Sequence, residues 1–212
     1  MRRPTDTGFP VGGAAAWRMM TPPGRLLFRV WFPFSDSGSA LPSGPVVLAV
    51  NHFSHLDPVM AAAAVRRPVR YLAVDELYGN SRLFDVLTKW LGAIPMTRTR
   101  IPLGPLRLAL AELAAGGTVG LFPEGVRVWA WGEQPPKRGA AWLALRAGVP
   151  LVPVAVSGSD LAMGRGAKRI SRIPIHVEIC EPIRPEAFDR EPDPVGAMTG
   201  EWVARIDAAL RG

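Results

Sequence analysis

Apolar residues follow two patterns that alternate along the chain. Short apolar or alternating runs of a strand's length occupy residues 45–50, 69–74, 118–122, 151–156 and 175–180, with a shorter extended piece at 92–98. Stretches with helical spacing of apolar positions lie at residues 59–65, 81–91, 103–115, 139–147 and 195–210. Strands that alternate with helices predict a single α/β domain with a largely parallel central sheet flanked by helices.

The first 43 residues differ from this pattern. Residues 1–23 are rich in Pro, Gly and Ala and predict a loose arm, whereas residues 24–34 have helical spacing. On such a helix Arg25 and Arg29 share one face beside a broad apolar side that includes Trp31, which predicts an amphipathic helix in a lipid headgroup layer. The same pattern also fits a helix packed on the protein's own core. Residues 35–44 predict a polar linker, so the chain divides into an arm with its helix (1–43) and an α/β domain (44–212).

Composition narrows the choice of partners. The chain has 212 residues and a net charge of +7, a basic balance that suits phosphate groups, anionic lipid or nucleic acid. Cys180 is the single cysteine, which excludes an internal disulfide. No apolar run approaches the ~18–20 residues of a membrane-spanning helix, and proline, glycine and arginine interrupt the N-terminal apolar stretch that a signal peptide would need. We therefore expect a protein that is soluble or lies on a membrane.

The best candidate for chemistry is the turn after the apolar run 45–50. His52 lies there, at a strand's carboxyl end, where open α/β sheets bind their ligands. Asp57 and Pro58 predict the start of the next helix, with the carboxylate at the N-cap and proline at the first helical position. A turn between His52 and Asp57 would fold the carboxylate onto the imidazole. That pairing is typical of a general base.

The sequence lacks the residue spacings that other kinds of active site require. No Gly-x-Ser-x-Gly elbow, phosphate-binding Gly-rich loop or dinucleotide fingerprint is present. His52, His55 and Asp57 have too few companion ligands to favour a metal site. A base without a protein nucleophile would deprotonate a substrate hydroxyl or a water for attack on an acyl carbon. Cations for a phosphate-bearing substrate follow the apolar segments at Arg98, Arg100, Arg127, Lys137 and Arg138.

These residues together resemble a known family. Asn51-His52-x4-Asp57 is similar to the HxxxxD signature of the 1-acylglycerol-3-phosphate (lysophosphatidic acid) acyltransferases, in the glycerolipid acyltransferase superfamily. Three further blocks match in order: residues 92–98, which end in Arg98, residues 122–127, which contain Glu124, Gly125 and Arg127, and residues 151–154. The resemblance covers roughly residues 44–185.

The resemblance implies an O-acyltransferase of phospholipid synthesis. His52 would take the proton of a lysophospholipid hydroxyl, Asp57 would orient the imidazole, and the alkoxide would attack the thioester of acyl-CoA or acyl-carrier protein. Arg98, Glu124 and Arg127 would bind the glycerol phosphate, and Gly125 would let the backbone approach closely. No metal or cofactor is implied. The protein would work at the cytoplasmic face of the cell membrane, as a peripheral or monotopic protein on the phospholipid surface.

The chain also departs from the family pattern. Val126 and Val128 replace hydroxyl-bearing residues, Trp129 and Trp131 occupy a loop that is commonly polar, and Thr97 replaces an acidic residue. The acceptor therefore stays open between lysophosphatidic acid and another lysolipid such as a lyso-ornithine lipid. A hydrolase that activates water and a non-catalytic lipid- or phosphate-binding module are further alternatives. Scattered cations without a recognised motif argue against nucleic acid.

Overall fold

The apolar runs of the sequence form the strands of one sheet. The computed structural model describes residues 32–74, 92–96 and 103–212, and before them Ala15, Met19, Pro22, Pro23, Leu26 and residues 29–31. Its strands are β1 (Ser35–Gly38), β2 (Val46–Val50), β3 (Arg70–Val74), β4 (Ile94–Met96), β5 (Thr118–Leu121), β6 (Leu151–Ser157) and β7 (His176–Ile179).

The seven strands are ordered β1-β7-β6-β2-β5-β3-β4. Every pairing is parallel except that of β6 with β7. The predicted α/β fold with a largely parallel sheet is therefore confirmed. The carboxyl ends of β2, β3, β4, β5 and β6 meet at one edge of the sheet, since these strands run in the same direction.

Helices connect and cover the strands. They are α1 (Asp57–Val65), α2 (Leu103–Ala114), α3 (Gly139–Ala147), α4 (Ser159–Met163) and α5 (Pro194–Arg211), with a 3-10 helix at Pro185–Phe188. The helices predicted at 59–65, 103–115, 139–147 and 195–210 are confirmed to within two residues at each end. Helix α4 and the 3-10 helix were not predicted. The predicted helix at 81–91 lies outside the described residues.

Strand β2 is buried on both faces, which explains its uninterrupted apolar sequence. Val46, Leu48 and Val50 belong to the core layer that contains the alanines of α1. Val47 and Ala49 point to the opposite layer, where they meet apolar residues of α3 and α5 such as Leu143, Trp202 and Ile206. The last residues of β2 are thus held rigidly from both sides, directly before the candidate base.

The linker predicted for residues 35–44 is wrong in its first part. Residues 35–38 form β1, which pairs with β7 at the edge of the sheet. The Oγ atoms of Ser35 and Ser37 lie 2.8 and 2.9 Å from the two ring nitrogens of His176. Main-chain pairing and polar cross-strand contacts stabilise this strand, so it needs no apolar pattern. The predicted arm, residues 1–43, therefore contributes a strand to the sheet.

The segment before β1 has two different environments. Leu26 and residues 29–31 are helical, and the side chains of Leu26, Val30 and Trp31 are exposed. Phe32 and Phe34 are instead buried in the core layer beside α1. The end of the predicted amphipathic helix therefore packs on the core. Within the described parts of the chain, no helix is long and apolar enough to cross a membrane.

Candidate active site

The loop between β2 and α1 brings His52 and Asp57 together. His52 Nδ1 lies 3.0 Å from Asp57 Oδ2. The same oxygen accepts hydrogen bonds of 2.7 Å from the backbone N–H groups of Phe53 and Ser54. The predicted contact between imidazole and carboxylate is therefore present, and the carboxylate also fixes the backbone of the loop.

The predicted N-cap role of Asp57 is wrong. Leu56 is the N-cap residue of α1, and no side chain caps this helix end. Asp57 is already helical, and its carboxylate turns back towards the preceding loop. A carboxylate inside the first turn still lies beside the free N–H groups at the positive end of the helix dipole.

The geometry of the pair gives the two ring nitrogens of His52 different roles. Asp57 is fully buried, whereas the His52 side chain keeps 15% of its surface exposed. Because an ionised carboxylate only accepts hydrogen bonds, Nδ1 carries the proton in this contact. The lone pair of the neutral imidazole is then on Nε2. A substrate hydroxyl that reaches Nε2 meets an oriented base.

Two further residues hold this loop in place. Asn51 is buried and bridges β2 to β6: its Nδ2 donates to the Val156 carbonyl at 2.9 Å, and its Oδ1 accepts from the Val156 N–H at 2.7 Å. Phe122 stacks on the His52 ring with 4.0 Å between ring centroids and 26° between planes. The ring of His52 is thus fixed by a hydrogen bond at one edge and by an aromatic face.

Glu124 lies beneath the same loop. Its Oε1 accepts from the backbone N–H of His52 at 3.2 Å, and only 4% of the residue is exposed. Burial raises the pKa of this carboxyl group to about 7, the charge of Asp57 adds to the rise, and backbone hydrogen bonds from Glu124 and His52 oppose it. Glu124 therefore exchanges its proton near neutral pH, two residues after the stacked Phe122.

Gly125 leaves space for the Lys137 side chain to lie against the backbone of the site. Its φ is +70°, and a Cβ at this position would come within 2.7 Å of Lys137 Nζ. The backbone N–H of Lys137 donates to the Pro123 carbonyl at 2.7 Å, which holds the two loops together. A side chain at position 125 would be strained and would displace the lysine.

Arg127 supplies positive charge at the site. Its guanidinium forms no hydrogen bond or ion pair with the described residues. Partial burial lowers its pKa, and so does the nearby charge of Arg165, while Asp57 opposes the shift. The pKa of His55 is lowered by burial and then by the charges of Arg127 and His52. Arg165 has a carboxylate partner in Glu133 at 3.7 Å, so an anion in this region would chiefly offset the charge of Arg127.

The remaining predicted phosphate ligands are placed differently. Arg98 and Arg100 lie outside the described residues, so the role expected for Arg98 stays a prediction. Arg138 forms an ion pair with Asp193 and is not free for a substrate. The residues that the described structure brings together are therefore His52, Asp57, Glu124, Gly125 and Arg127.

Comparison with known proteins places these residues within a family. The family model described as Acyltransferase matches residues 34–157, which include the whole described site. The chain belongs to the acyltransferase family. The resemblance of the four sequence blocks is thereby confirmed at the level of the family.

Two proteins similar to this acyltransferase domain are named as 1-acyl-sn-glycerol-3-phosphate acyltransferases. A 1-acyl-sn-glycerol-3-phosphate acyltransferase from Limnanthes alba is 36% identical over 93 residues, 43% of this chain and 33% of that protein. A probable 1-acyl-sn-glycerol-3-phosphate acyltransferase from Mycoplasma genitalium is 27% identical over 164 residues, 71% of this chain and 60% of that protein. The match thus spans a third of the Limnanthes protein and three fifths of the Mycoplasma one.

The fold is shared with a solved acyltransferase structure. The 1-acyl-sn-glycerophosphate (LPA) acyltransferase PlsC from Thermotoga maritima superposes with a TM-score of 0.69. The two sequences are 21% identical, and the match covers 92% of this chain and 80% of that one. At this identity the likeness shows the acyltransferase fold.

Sequence reasoning missed several contributors to this acyltransferase site. No stacking role was predicted for Phe122, the first residue of the block 122–127, although its place one residue after β5 puts it at the carboxyl edge of the sheet. Arg165 lies outside the four blocks, eleven residues after the last of them, and its guanidinium lies 5.5 Å from the ring centroid of exposed Trp129. Trp131, one of the two tryptophans in the loop that is commonly polar in the family, packs edge-on against buried Trp202 with 5.5 Å between ring centroids.

Proposed function

We propose that this protein transfers an acyl group from a thioester to the free hydroxyl of a lysophospholipid, with 1-acylglycerol-3-phosphate as the preferred acceptor. The observation that carries the proposal is the 3.0 Å contact that orients His52 through buried Asp57. An oriented imidazole without a protein nucleophile suits direct attack by a substrate hydroxyl on an acyl carbon.

The proposed reaction needs one proton carrier. His52 Nε2 takes the hydroxyl proton as the acceptor oxygen attacks the thioester carbonyl carbon. The carbon–sulfur bond then breaks, and the imidazolium returns its proton to the thiolate. The products are the acylated lipid and a free thiol. Asp57 stabilises the imidazolium between the two steps, and general-base catalysis of this type contributes ~10²–10⁴ in rate.

The acceptor assignment rests on charge and on the family. Arg127 is a cation without a partner among the described residues, and a phosphate group would supply one. Glu124, with its pKa raised to about 7, can be protonated beside a phosphate and donate to it rather than repel it. Arg98 completes the proposed phosphate site on the strength of the family resemblance. The names of the relatives favour lysophosphatidic acid, and a lyso-ornithine lipid is the alternative acceptor.

The donor is proposed to be acyl-CoA or acyl-carrier protein. Both present the same thioester, so the chemistry at His52 does not distinguish them. The reaction requires no metal or cofactor.

The proposed location is the cytoplasmic face of the cell membrane, with the protein held on the surface. Exposed Leu26, Val30 and Trp31 on the helical segment before β1 support contact with lipid. Replacing Val30 and Trp31 by serine tests this contact without removing the core residues Phe32 and Phe34. We expect weaker vesicle binding with unchanged turnover of a detergent-dispersed substrate, and unchanged vesicle binding would contradict the proposal.

A thiol-release assay tests the chemistry. Purified protein is given a panel of lysolipids with labelled acyl-CoA or acyl-carrier protein, and His52→Ala is compared with His176→Ala, whose histidine contacts the serines of β1. We expect His52→Ala to lose at least about a hundredfold in kcat per folded molecule, while His176→Ala stays active.

The same assay separates the alternatives. Retained turnover in His52→Ala would refute the mechanism. Thiol and free fatty acid release without any acceptor would identify a hydrolase. Vesicle binding without consumption of thioester by any lysolipid would identify a binding module.

A further inference from the structure

A strongly basic surface loop lies between β6 and β7. The basic loop, residues 164–172, contains four cations and no carboxylate: Arg165, Lys168, Arg169 and Arg172. Residues 165–172 are all exposed. Lys168 and Arg169 form no ion pair with any residue that the structure describes. Their charge is therefore not neutralised within the described fold.

Large apolar side chains accompany this charge. Leu161 on α4 is 69% exposed, and Ile170 within the basic loop is 51% exposed. The backbone N–H of Ser171 donates to the Ala162 carbonyl at 2.8 Å. This bond holds the part of the loop that carries Ile170 against the helix that carries Leu161.

The loop has a defined backbone shape. The N–H of Ala167 donates to the Gly164 carbonyl at 3.1 Å and closes a turn. A Cβ at Gly164 would lie 2.3 Å from the Asp160 carbonyl oxygen, so only glycine fits this close approach to α4. The backbone that carries the cations therefore has a fixed conformation.

The basic loop is joined to the helical segment before β1. Arg172 Nη2 donates to the Val30 carbonyl at 2.9 Å. Val30 belongs to the exposed apolar group that also includes Leu26 and Trp31. Two apolar groups from distant parts of the sequence therefore border one set of cations.

The same loop also borders the candidate active site. Ser54, two residues after His52, forms an antiparallel bridge with Gly164, and its Oγ donates to the Met163 carbonyl at 2.6 Å. Arg165 lies over Trp129 and close enough to Arg127 to lower its pKa. A surface bound by this loop would therefore be next to the loop that carries His52.

We propose that the basic loop is a second membrane-contact surface, which binds the headgroups of anionic phospholipids while Leu161 and Ile170 enter the interface. Unneutralised cations next to exposed aliphatic side chains are complementary to an anionic bilayer, which offers negative charge above an apolar layer. Nucleic acid offers the charge but no surface for the aliphatic residues. The inference goes beyond the proposed function, because it assigns lipid binding to the catalytic domain itself.

Charge-removing variants of the full-length protein test this surface. Lys168→Gln/Arg169→Gln is compared with Arg146→Gln/Arg184→Gln, which removes two exposed cations near the opposite edge of the sheet. Binding is measured by co-sedimentation with vesicles of phosphatidylglycerol in phosphatidylcholine. We expect the loop variant to bind about thirtyfold more weakly and the control to change less than about threefold, since each lost contact weakens binding about fivefold.

Two further measurements make the result specific. Leu161→Ser/Ile170→Ser should reduce binding by about tenfold, including in added salt that screens the charges. Turnover of a short-chain lysolipid in free solution should stay unchanged in the loop variants, which separates loss of lipid binding from loss of catalysis.

Several outcomes would overturn the inference. Equal losses in the loop variant and the control would show a general effect of net charge. Unchanged vesicle binding in Lys168→Gln/Arg169→Gln would show that the loop does not contact lipid, and loss of RNA binding with unchanged vesicle binding would identify a different partner. Because vesicle binding is measured without turnover, a protein that lacks acyl transfer can still confirm or refute this surface.

Discussion

Two buried acid–base pairs lie at opposite edges of the same sheet. Arg70 and Glu112 form an ion pair of 3.1 Å where β3 begins, and both side chains are only 8% exposed. His52 and Asp57 form a contact of 3.0 Å where β2 has ended. The distances and the burial are similar, yet the surroundings of the two pairs differ.

The two pairs differ in whether their buried polar atoms, and those beside them, all have hydrogen-bond partners. Arg70 also donates from Nε to the Gly92 carbonyl at 2.8 Å, so its guanidinium is held at more than one point. At the other edge, Asp57 Oδ1 and Glu124 Oε2 are buried without a hydrogen-bond partner among the described residues. Unsatisfied buried acceptors destabilise a fold. Their presence beside His52, where open α/β sheets bind ligands, indicates that this end of the sheet is arranged for substrate.

Arg70→Ala should give the largest effect on the free energy of unfolding. Removing the cation leaves Glu112 buried and uncompensated, which typically destabilises a protein by ~3–5 kcal/mol. Chemical denaturation measures the change. We expect kcat per folded molecule to stay unchanged, because the pair is remote from His52.

A double variant provides the control for this prediction. Arg70→Met/Glu112→Leu removes both charges, and we expect it to be more stable than Arg70→Ala because no lone buried charge remains. A loss of kcat in folded Arg70→Ala would contradict this prediction, because it would show that the Arg70–Glu112 pair also affects the site at His52.

Asp57→Asn should have the largest effect on activity in the opposite pair. The amide oxygen can still accept from the N–H groups of Phe53 and Ser54, so the loop keeps its shape. The imidazolium loses its negative partner, and we expect kcat to fall about 10²–10³-fold with little change in KM. Asp207→Asn on α5 is the matched control and should leave kcat unchanged. A wild-type kcat in Asp57→Asn would mean that the contact is only structural.

The sequence predicts the candidate site at the carboxyl ends of the central strands better than it predicts the outer strands of the sheet. His52 and Asp57 lie in one short segment after a fully apolar strand, so their contact follows from a single turn. Strand β1 is Ser-Asp-Ser-Gly and has no apolar periodicity. It forms because its backbone pairs with β7, more than a hundred residues later in the chain. The local sequence pattern contains no information about such a distant strand.

The electrostatics of the site also depend on distant residues. The high pKa of Glu124 results from burial beneath the loop of His52, 72 residues earlier in the chain. Arg165 reaches the site only because α4 folds beside Ser54. The helix-cap prediction for Asp57 failed for a related reason, since the loop N–H groups and the His52 ring compete for the same carboxylate.

Glu124→Gln should change how stability depends on pH. The pKa of Glu124 is raised from 4.5 to about 7 by burial, so the folded protein binds this proton more tightly than the unfolded chain does. Its contribution is fully present below pH 4.5 and is lost as the pH rises through about 7. Relative to the wild type, the variant should therefore gain stability over this window.

The size of the stability gain follows from the difference between the folded and unfolded pKa values of Glu124. Well above pH 7 the gain should reach about 3 kcal/mol, and below pH 4.5 the two proteins should be equally stable. Glu178→Gln, on β7, is the control for replacing an acid by its amide elsewhere in the sheet. Parallel stability curves for the wild type and Glu124→Gln would show that burial does not hold the proton on Glu124.

Phe122→Leu should have the smallest effect and test how the base is positioned. Leucine fills most of the space but lacks the flat face that stacks on His52 at 4.0 Å. An aromatic contact of this kind is worth ~0.5–1.5 kcal/mol, so we expect kcat to fall about three- to tenfold with an unchanged KM. Phe122→Tyr keeps the ring and should restore kcat if the hydroxyl is accommodated. A rise in KM with a constant kcat would instead mean that Phe122 contacts the acceptor lipid, and the ring of His52 would then be positioned by Asp57 alone.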